Sequence, residues 1–432
     1  MKKIMTALLC AVVAAALLAC SDDAQEEQRK QADLKVQAYL ASILMTWEMK
    51  TVADVPGFEF TPNPALTPSC SNCPGTNPDY AFFVKRGDPT KLMVFFMGGG
   101  ACWDITNCYY NHTYAEDLFE SIALLGVVSS GLARERGVGG LLDTSNRNNP
   151  FGDWTIVYVP YCTGDLGAGQ QDRTYVDDYN PENPTDDVVI RHRGAVNRSL
   201  VLEWMEDNIP PGGVTQLFVT GLSAGSYASL LAFPYIRQVY SSGTACYLGD
   251  AGVGFAGIDD DGHTFTWLAK DRWNVQLPLD VFGTTDISSF SEYKDLVYAG
   301  VNHYNASGER FAQYTTMYDA TQAWFYNIQV DDHIDYPNFW GTEAEADPDL
   351  WVYKDWSTGM YDRIGTTGAI QIELSNYRYY IGAGIDHTII FYDKTYTELS
   401  GGASFIQWID DLVNGAMPLS TACSDPDCDA PF

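Results

Sequence analysis

Short apolar runs separated by loops rich in Gly, Asn, Asp and Pro set the pattern of this chain. The runs "LMVFFM" (92–97), "WTIVYVP" (154–160), "QLFVT" (216–220) and "TIIFY" (388–392) are continuous rather than alternating. That is the pattern of central strands covered on both faces. Between them, "NRSLVLEWMEDNI" (197–209) and "SYASLLAFPYIRQVY" (226–240) have the length and composition of helices. The alternation predicts an α/β fold with a mostly parallel central sheet, helices on both faces and long loop insertions. Nearer the start, Val36, Tyr39, Leu40, Ile43, Leu44 and Trp47 recur at three- and four-residue intervals. They predict an amphipathic helix, and the lack of a basic stripe argues for packing on the body rather than on lipid.

The first residues do not fit that pattern. Met1-Lys2-Lys3 precedes an apolar stretch over 4–18, which is short for a membrane span and has the form of a signal peptide. It closes in "LLAC" (17–20), which resembles the bacterial lipobox and implies a lipidated Cys20 after cleavage. The organisation expected is a leader over 1–19, a tether over 20–33 and a single domain over 34–432, exported and held at a membrane only through its lipid. The tail "CSDPDCDAPF" is expected to form a small disulfide-closed loop.

Composition narrows the partners. The 46% hydrophobic content is ample for a large core, and the net charge of −31 argues against nucleic acid or a basic membrane-binding face. Beyond Cys10 in the leader and Cys20, eight cysteines remain, at 70, 73, 102, 108, 162, 246, 423 and 428. In an exported chain they imply up to four disulfides. Cys70-x-x-Cys73 invites a zinc or redox reading, but no second Cys/His pair at finger spacing accompanies it, so a structural disulfide is expected.

The candidate chemistry starts at "VTGLSAGSYAS". A strand, the turn Gly221-Leu222-Ser223-Ala224-Gly225 and a helix give the context of a nucleophile elbow, with the Ala224 amide at a helix N-terminus. Upstream, "VFFMGGGACWD" runs a strand into Gly98-Gly99-Gly100. Backbone N–H groups in such a loop can face an oxyanion, and no phosphate-loop ending follows. A serine nucleophile needs a base, and the histidines are 112, 192, 263, 303, 333 and 387. In the Ser–acid–His chain order the base follows the serine, which removes His112 and His192. His387, between a glycine-rich loop and an apolar run, is the best placed; 263, 303 and 333 sit in acidic or polar loops. Asp250, Asp319 and Asp386 are all conceivable acids, although Asp386 diverges from its neighbour on an extended chain. The acidic stretch 257–263 lacks the full calcium-loop pattern and reads as solvated.

"GGGAC", "NPFGDWTIVYVPYCTGD", "RHRG", "VTGLSAGSYAS", "GDAG", "MYDATQ" and "DHT" occur in the order found in the pectin acetylesterase family, which the chain resembles from about residue 70 to 393. The resemblance implies an α/β-hydrolase-like serine esterase with Ser223 as nucleophile, Asp319 as acid and His387 as base. It further implies oxyanion amides on Gly99, Gly100 and Ala224, and makes Asp250 a pocket-wall or structural residue. It implies a Cys102–Cys108 disulfide, and for Cys162 a partner at Cys73 or Cys70. No metal or cofactor is required. The expected substrate is an acyl ester, acetyl on a polysaccharide foremost. Ala101 and Trp103 depart from the tryptophan many relatives carry before the first loop cysteine, so the pocket rim is expected to differ. The alternatives are a catalytically inactive carbohydrate-binding lipoprotein and a lipase or polyester hydrolase on the same scaffold.

Overall fold

The computed structural model describes residue 37 and residues 40–129, 137–177, 187–258, 262–330, 351–365, 370, 373–424 and 428. The leader, Cys20, the tether, His333, residues 259–261 and most of the helix expected from residue 34 lie outside them. At the described end of that helix Ile43 and Trp47 are buried, but Leu44 is exposed.

The strands are β1 (Glu48–Thr51), β2 (Ala81–Lys85), β3 (Asp88–Phe96), β4 (Trp154–Val159), β5 (Gln171–Tyr175), β6 (Val188–His192), β7 (Gln216–Leu222), β8 (Thr244–Asp250), β9 (Arg310–Thr316), β10 (Tyr377–Gly382), β11 (Leu399–Ser400), β12 (Ala403–Ser404) and β13 (Thr421–Ala422). Nine of them form one sheet in the order β1-β2-β4-β3-β7-β8-β9-β10-β13. The β1–β2 and β2–β4 pairs are antiparallel, and from β4 to β13 every neighbouring pair is parallel.

The continuous apolar runs explain the centre of this sheet. Leu92 to Phe96 of β3 and all of β4 are buried, and β7 is buried beyond its first residue. Each such Leu, Ile, Val or Phe contributes roughly 1.5–3 kcal/mol on leaving water. The helices Gly194–Asn208 and Ala224–Val239 fall where the sequence places them. Parallel pairing aligns the carboxyl ends: Phe96 of β3 stands beside Gly221 of β7, and Leu222 beside Asp250 of β8. Loops leaving β3, β7, β8, β9 and β10 therefore emerge along one edge, where open α/β sheets bind ligands.

Two expectations fail. "TIIFY" is not a strand. The strand on that side is β10, which precedes His387, and 388–392 form a buried turn whose Ile389 and Ile390 amides donate to the Asp250 carboxylate (2.7 and 2.9 Å). A short apolar run satisfies its backbone equally well with a buried side-chain acceptor, and periodicity cannot separate the two cases. The second correction concerns Cys73. Cys162 pairs with Cys70, while Cys73 and Cys246 are buried thiols. The Ser71 amide donates to the Cys162 carbonyl (2.8 Å), which brings Cys70 to a Cα separation of 5.0 Å from Cys162. Cys73 instead packs beside Cys102, Cys108 and Tyr114. Cys102–Cys108 and the tail pair Cys423–Cys428 complete three disulfides among the described residues, within the up to four expected.

Candidate active site

Ser223 sits between β7 and the helix Ala224–Val239 with φ +52°, a strained backbone for a residue with a Cβ. The turn is held from both sides. A Cβ on Gly221 would overlap the Gly225 carbonyl, and one on Gly225 would overlap the Phe96 carbonyl of β3. The Ser223 amide donates to the Asp250 carbonyl (2.7 Å), which fixes the turn to the end of β8. Ala224 opens the helix, so its N–H has no partner within the helix and carries the positive end of the helix dipole.

The glycine loop reaches the same place from β3. Gly99 and Gly100 have φ of +154° and +73°, and a Cβ on Gly98 would meet Leu222 and Ser223. The Gly99 carbonyl accepts from the Ala115 amide (2.7 Å), and Gly100 bridges Tyr114, so the segment through residue 115 braces this loop. Cys102–Cys108 closes the chain just beyond it.

Asp319 and His387 come from the other side of the sheet edge. Asp319 is fully buried, and both carboxylate oxygens lie 2.9 Å from His387 Nδ1. Its Oδ1 also accepts from the Gln322 amide (2.9 Å) and its Oδ2 from Gln322 Nε2 (2.8 Å). Asp319 thereby caps the helix Ala320–Val330. Gln322 Oε1 in turn accepts from the Val253 amide (3.0 Å), so the glutamine locks the acid to the loop after β8. The sequence signal for the cap is an aspartate set just before the helix Ala320–Val330, three residues ahead of Gln322.

His387 Nε2 is buried and has no hydrogen-bond partner among the described residues. Burial opposes protonation of the ring, but the Asp319 charge, its hydrogen bond and then the Asp250 charge together hold the imidazole pKa above its ordinary value. Asp250 is fully buried at the end of β8. Burial pushes its carboxyl up to about 7, against the Ile389 and Ile390 amides and the His387 charge, which pull it down. Asp250 thus touches both halves of the site, accepting from Ser223 through its carbonyl and holding the turn after His387 through its carboxylate.

One cavity joins these groups. It is open to solvent, with about 640 Å³ of empty space that includes its mouth. Ser223, Ala224, Gly100 and His387 line it, together with the apolar side chains of Trp103, Phe255, Phe265, Leu268, Trp273 and Phe325. Trp103 packs obliquely on Phe325 with 6.5 Å between ring centroids, and Ala101 also reaches the cavity. Asp386 points away and pairs with Lys394 Nζ (2.9 Å). Of the other histidines, His192 is buried between the Tyr175 hydroxyl and the Thr163 carbonyl, at 2.9 Å each. His263 stacks on Trp267, and His303 is exposed.

Residues 68–268 match the family model described as pectinacetylesterase. The chain is 35% identical over 82 residues to palmitoleoyl-protein carboxylesterase NOTUM of Schmidtea mediterranea, which is 19% of this chain and 14% of that protein. It is 22% identical over 185 residues to palmitoleoyl-protein carboxylesterase notum1a of Danio rerio, 42% of this chain and 32% of that protein. The matched stretches thus span less than a third of the length of these curated relatives. Among solved structures, the Wnt deacylase Notum from Drosophila aligns in two crystal forms with a TM-score of 0.54 and 16% identity. The alignments cover 82% and 84% of this chain and 93% and 96% of those chains, a likeness of fold. Residues 68–268 are thus similar to the pectinacetylesterase family, and the mostly parallel sheet places the chain in the α/β-hydrolase fold of the Notum structures.

Proposed function

We propose that this protein is an exported serine carboxylesterase that cleaves an acyl ester through Ser223, His387 and Asp319. The observation that carries the reading is the convergence of two independent constructions on one cavity. One is a strained, glycine-packed Ser223; the other is a histidine whose Nδ1 is held by a buried carboxylate and whose Nε2 is left over.

In this reading His387 Nε2 takes the Ser223 proton as Oγ attacks the ester carbonyl, and Asp319 fixes the imidazole tautomer and stabilises the imidazolium. The amides of Gly99, Gly100 and Ala224 receive the oxyanion, each donor being worth about 3 kcal/mol. His387 then protonates the leaving alcohol, and water repeats the sequence on the acyl-enzyme.

The cavity walls favour an acyl group with substantial apolar surface, because Phe255, Phe265, Leu268 and Phe325 offer an acetyl group far more surface than it can cover. The family model supports a second reading, acetyl removal from a carbohydrate. Against pectin itself stands the net charge of −31, which repels a polyanion at low salt. Export and a lipid on Cys20 belong to the same proposal, supported by the form of residues 1–20 and by three disulfides, which suit an oxidising compartment.

The test is fluorophosphonate labelling with peptide mapping, followed by a p-nitrophenyl ester series from acetyl to long-chain acyl. Labelling at Ser223 and kcat/KM rising from acetyl to medium chains are expected. Ser223→Ala should lose labelling and roughly 10⁴–10⁶ of the turnover while keeping its melting temperature. A wild type neither labelled nor active would refute the esterase; a series peaking at acetyl would favour the second reading.

A further inference from the structure

Cys73 is a buried thiol whose neighbours Cys70, Cys102 and Cys108 are all committed to disulfides. Two donors from a different segment stand beside it. The sulfur of Cys73, a ring nitrogen of His112 and a carboxylate oxygen of Glu116 all lie within 4.8 Å of one another. His112 Nδ1 and Glu116 Oε1 meet directly across an i,i+4 spacing. We propose that Cys73, His112 and Glu116 form a binding site for a thiophilic divalent cation of the zinc class, clasping two loops behind the glycine turn.

The donor set selects the metal. Sulfur, imidazole and carboxylate are the ligands zinc takes at about 2.0–2.3 Å, and three protein ligands leave a fourth position for water. Magnesium and calcium want oxygen-rich shells and are poorly served by a sulfur. On binding, the Cys73 S–H bond breaks, its proton passes to solvent and the sulfur lone pair bonds to the cation, with no oxidant or reductant involved.

The ligands are held in place by groups other than the metal. The Ser71 hydroxyl accepts from the Cys73 amide (3.3 Å) and donates to the Glu116 carbonyl (2.9 Å), so one side chain ties both ligand-bearing segments together. Cys70–Cys162 anchors the first segment, and the Thr113 hydroxyl, donating to the Ala101 carbonyl (2.6 Å), anchors the second. The Tyr114 hydroxyl is buried against Ser71 and Cys73, so a further polar group faces the sulfur. Entry is open from the outside, since the His112 side chain is 51% exposed while Cys73 is buried. The segment carrying His112 and Glu116 also supplies the Ala115 amide to the Gly99 carbonyl, so an occupied site would stiffen the glycine loop.

The experiment uses the full chain, stripped with a chelator and titrated with Co²⁺ as the probe. One equivalent should bind with thiolate-to-cobalt charge-transfer absorption, and Zn²⁺ should displace it. Cys73→Ser should abolish that absorption. If Cys73→Ser fails to fold, the double variant His112→Ala/Glu116→Gln, both at partly exposed positions, carries the test. Its Co²⁺ affinity should fall by at least the roughly 10–100-fold that even outer-sphere partners are worth. A wild type without the charge-transfer band, a band that survives Cys73→Ser, or equal affinity in the double variant would overturn the site.

Discussion

The two halves of the site are built by different physics. The serine half is held by backbone contacts: Gly221, Gly225 and the Phe96 carbonyl pack so closely that no side chain fits between them. The histidine half is held by carboxylates, with Asp319 on the ring, Gln322 on Asp319 and Asp250 on the turn that follows. Close packing tolerates no change of volume and is indifferent to pH, whereas a buried carboxylate tolerates isosteric change and is sensitive to pH. Damage to the first half should therefore appear as lost stability, and damage to the second as altered kinetics in a folded protein.

The largest effect that sharpens this contrast is expected from Asp319→Asn. It should lower kcat by about 10⁴, because the ring loses the anion that selects its tautomer. Circular dichroism and the denaturation midpoint should stay close to wild type, and a protein that unfolds instead would break the contrast. Next comes Gly225→Ala, where the new Cβ must displace the Phe96 carbonyl. It should cost about 3 kcal/mol or more in chemical denaturation, with no change in the shape of the pH profile of its residual activity.

Asp250→Asn should act more gently and through pH. Asp250 is among the charges that raise the His387 pKa, so its neutralisation should move the acid limb of kcat/KM to lower pH. In wild type that limb belongs to the coupled groups rather than to one residue. The same carboxyl has its folded pKa raised from 3.8 to about 7. Its contribution to stability is therefore full below the unfolded value and lost as pH rises through 7, a loss the Asn variant should lack in melts between pH 5 and 8. The smallest effect is expected from Asp386→Asn, which removes the 67% exposed end of its pair with Lys394 and leaves Lys394 its second partner, Glu398 (3.4 Å). It should change stability by no more than about 1 kcal/mol, and a larger cost in urea titration would mean that the histidine half depends on its surface as well.

Legibility in the sequence divides along the same line. The elbow could be read because its causes are local: glycines two residues either side of Ser223, a strand before and a helix after. The glycine loop was visible for the same reason. On the histidine side, spacing left three acids open for one base, since Asp250, Asp319 and His387 lie far apart in sequence and meet only at the sheet edge. "TIIFY" was misread because its amides bond to a carboxylate some 140 positions away, and no local pattern encodes that. Cys73 was assigned to a disulfide because pairing depends on Cα distance and direction, which a C-x-x-C spacing does not contain.

The sequence by itself determined the buried parallel core, the strained serine turn and the glycine loop, because continuous apolar runs and glycine spacing act over a few residues. Only the tertiary structure decided which carboxylate holds His387, which cysteine Cys162 takes, and that Asp250 links the two halves. Those outcomes rest on strand order and on hydrogen bonds closed across long stretches of chain, and short-range pattern carries no record of either.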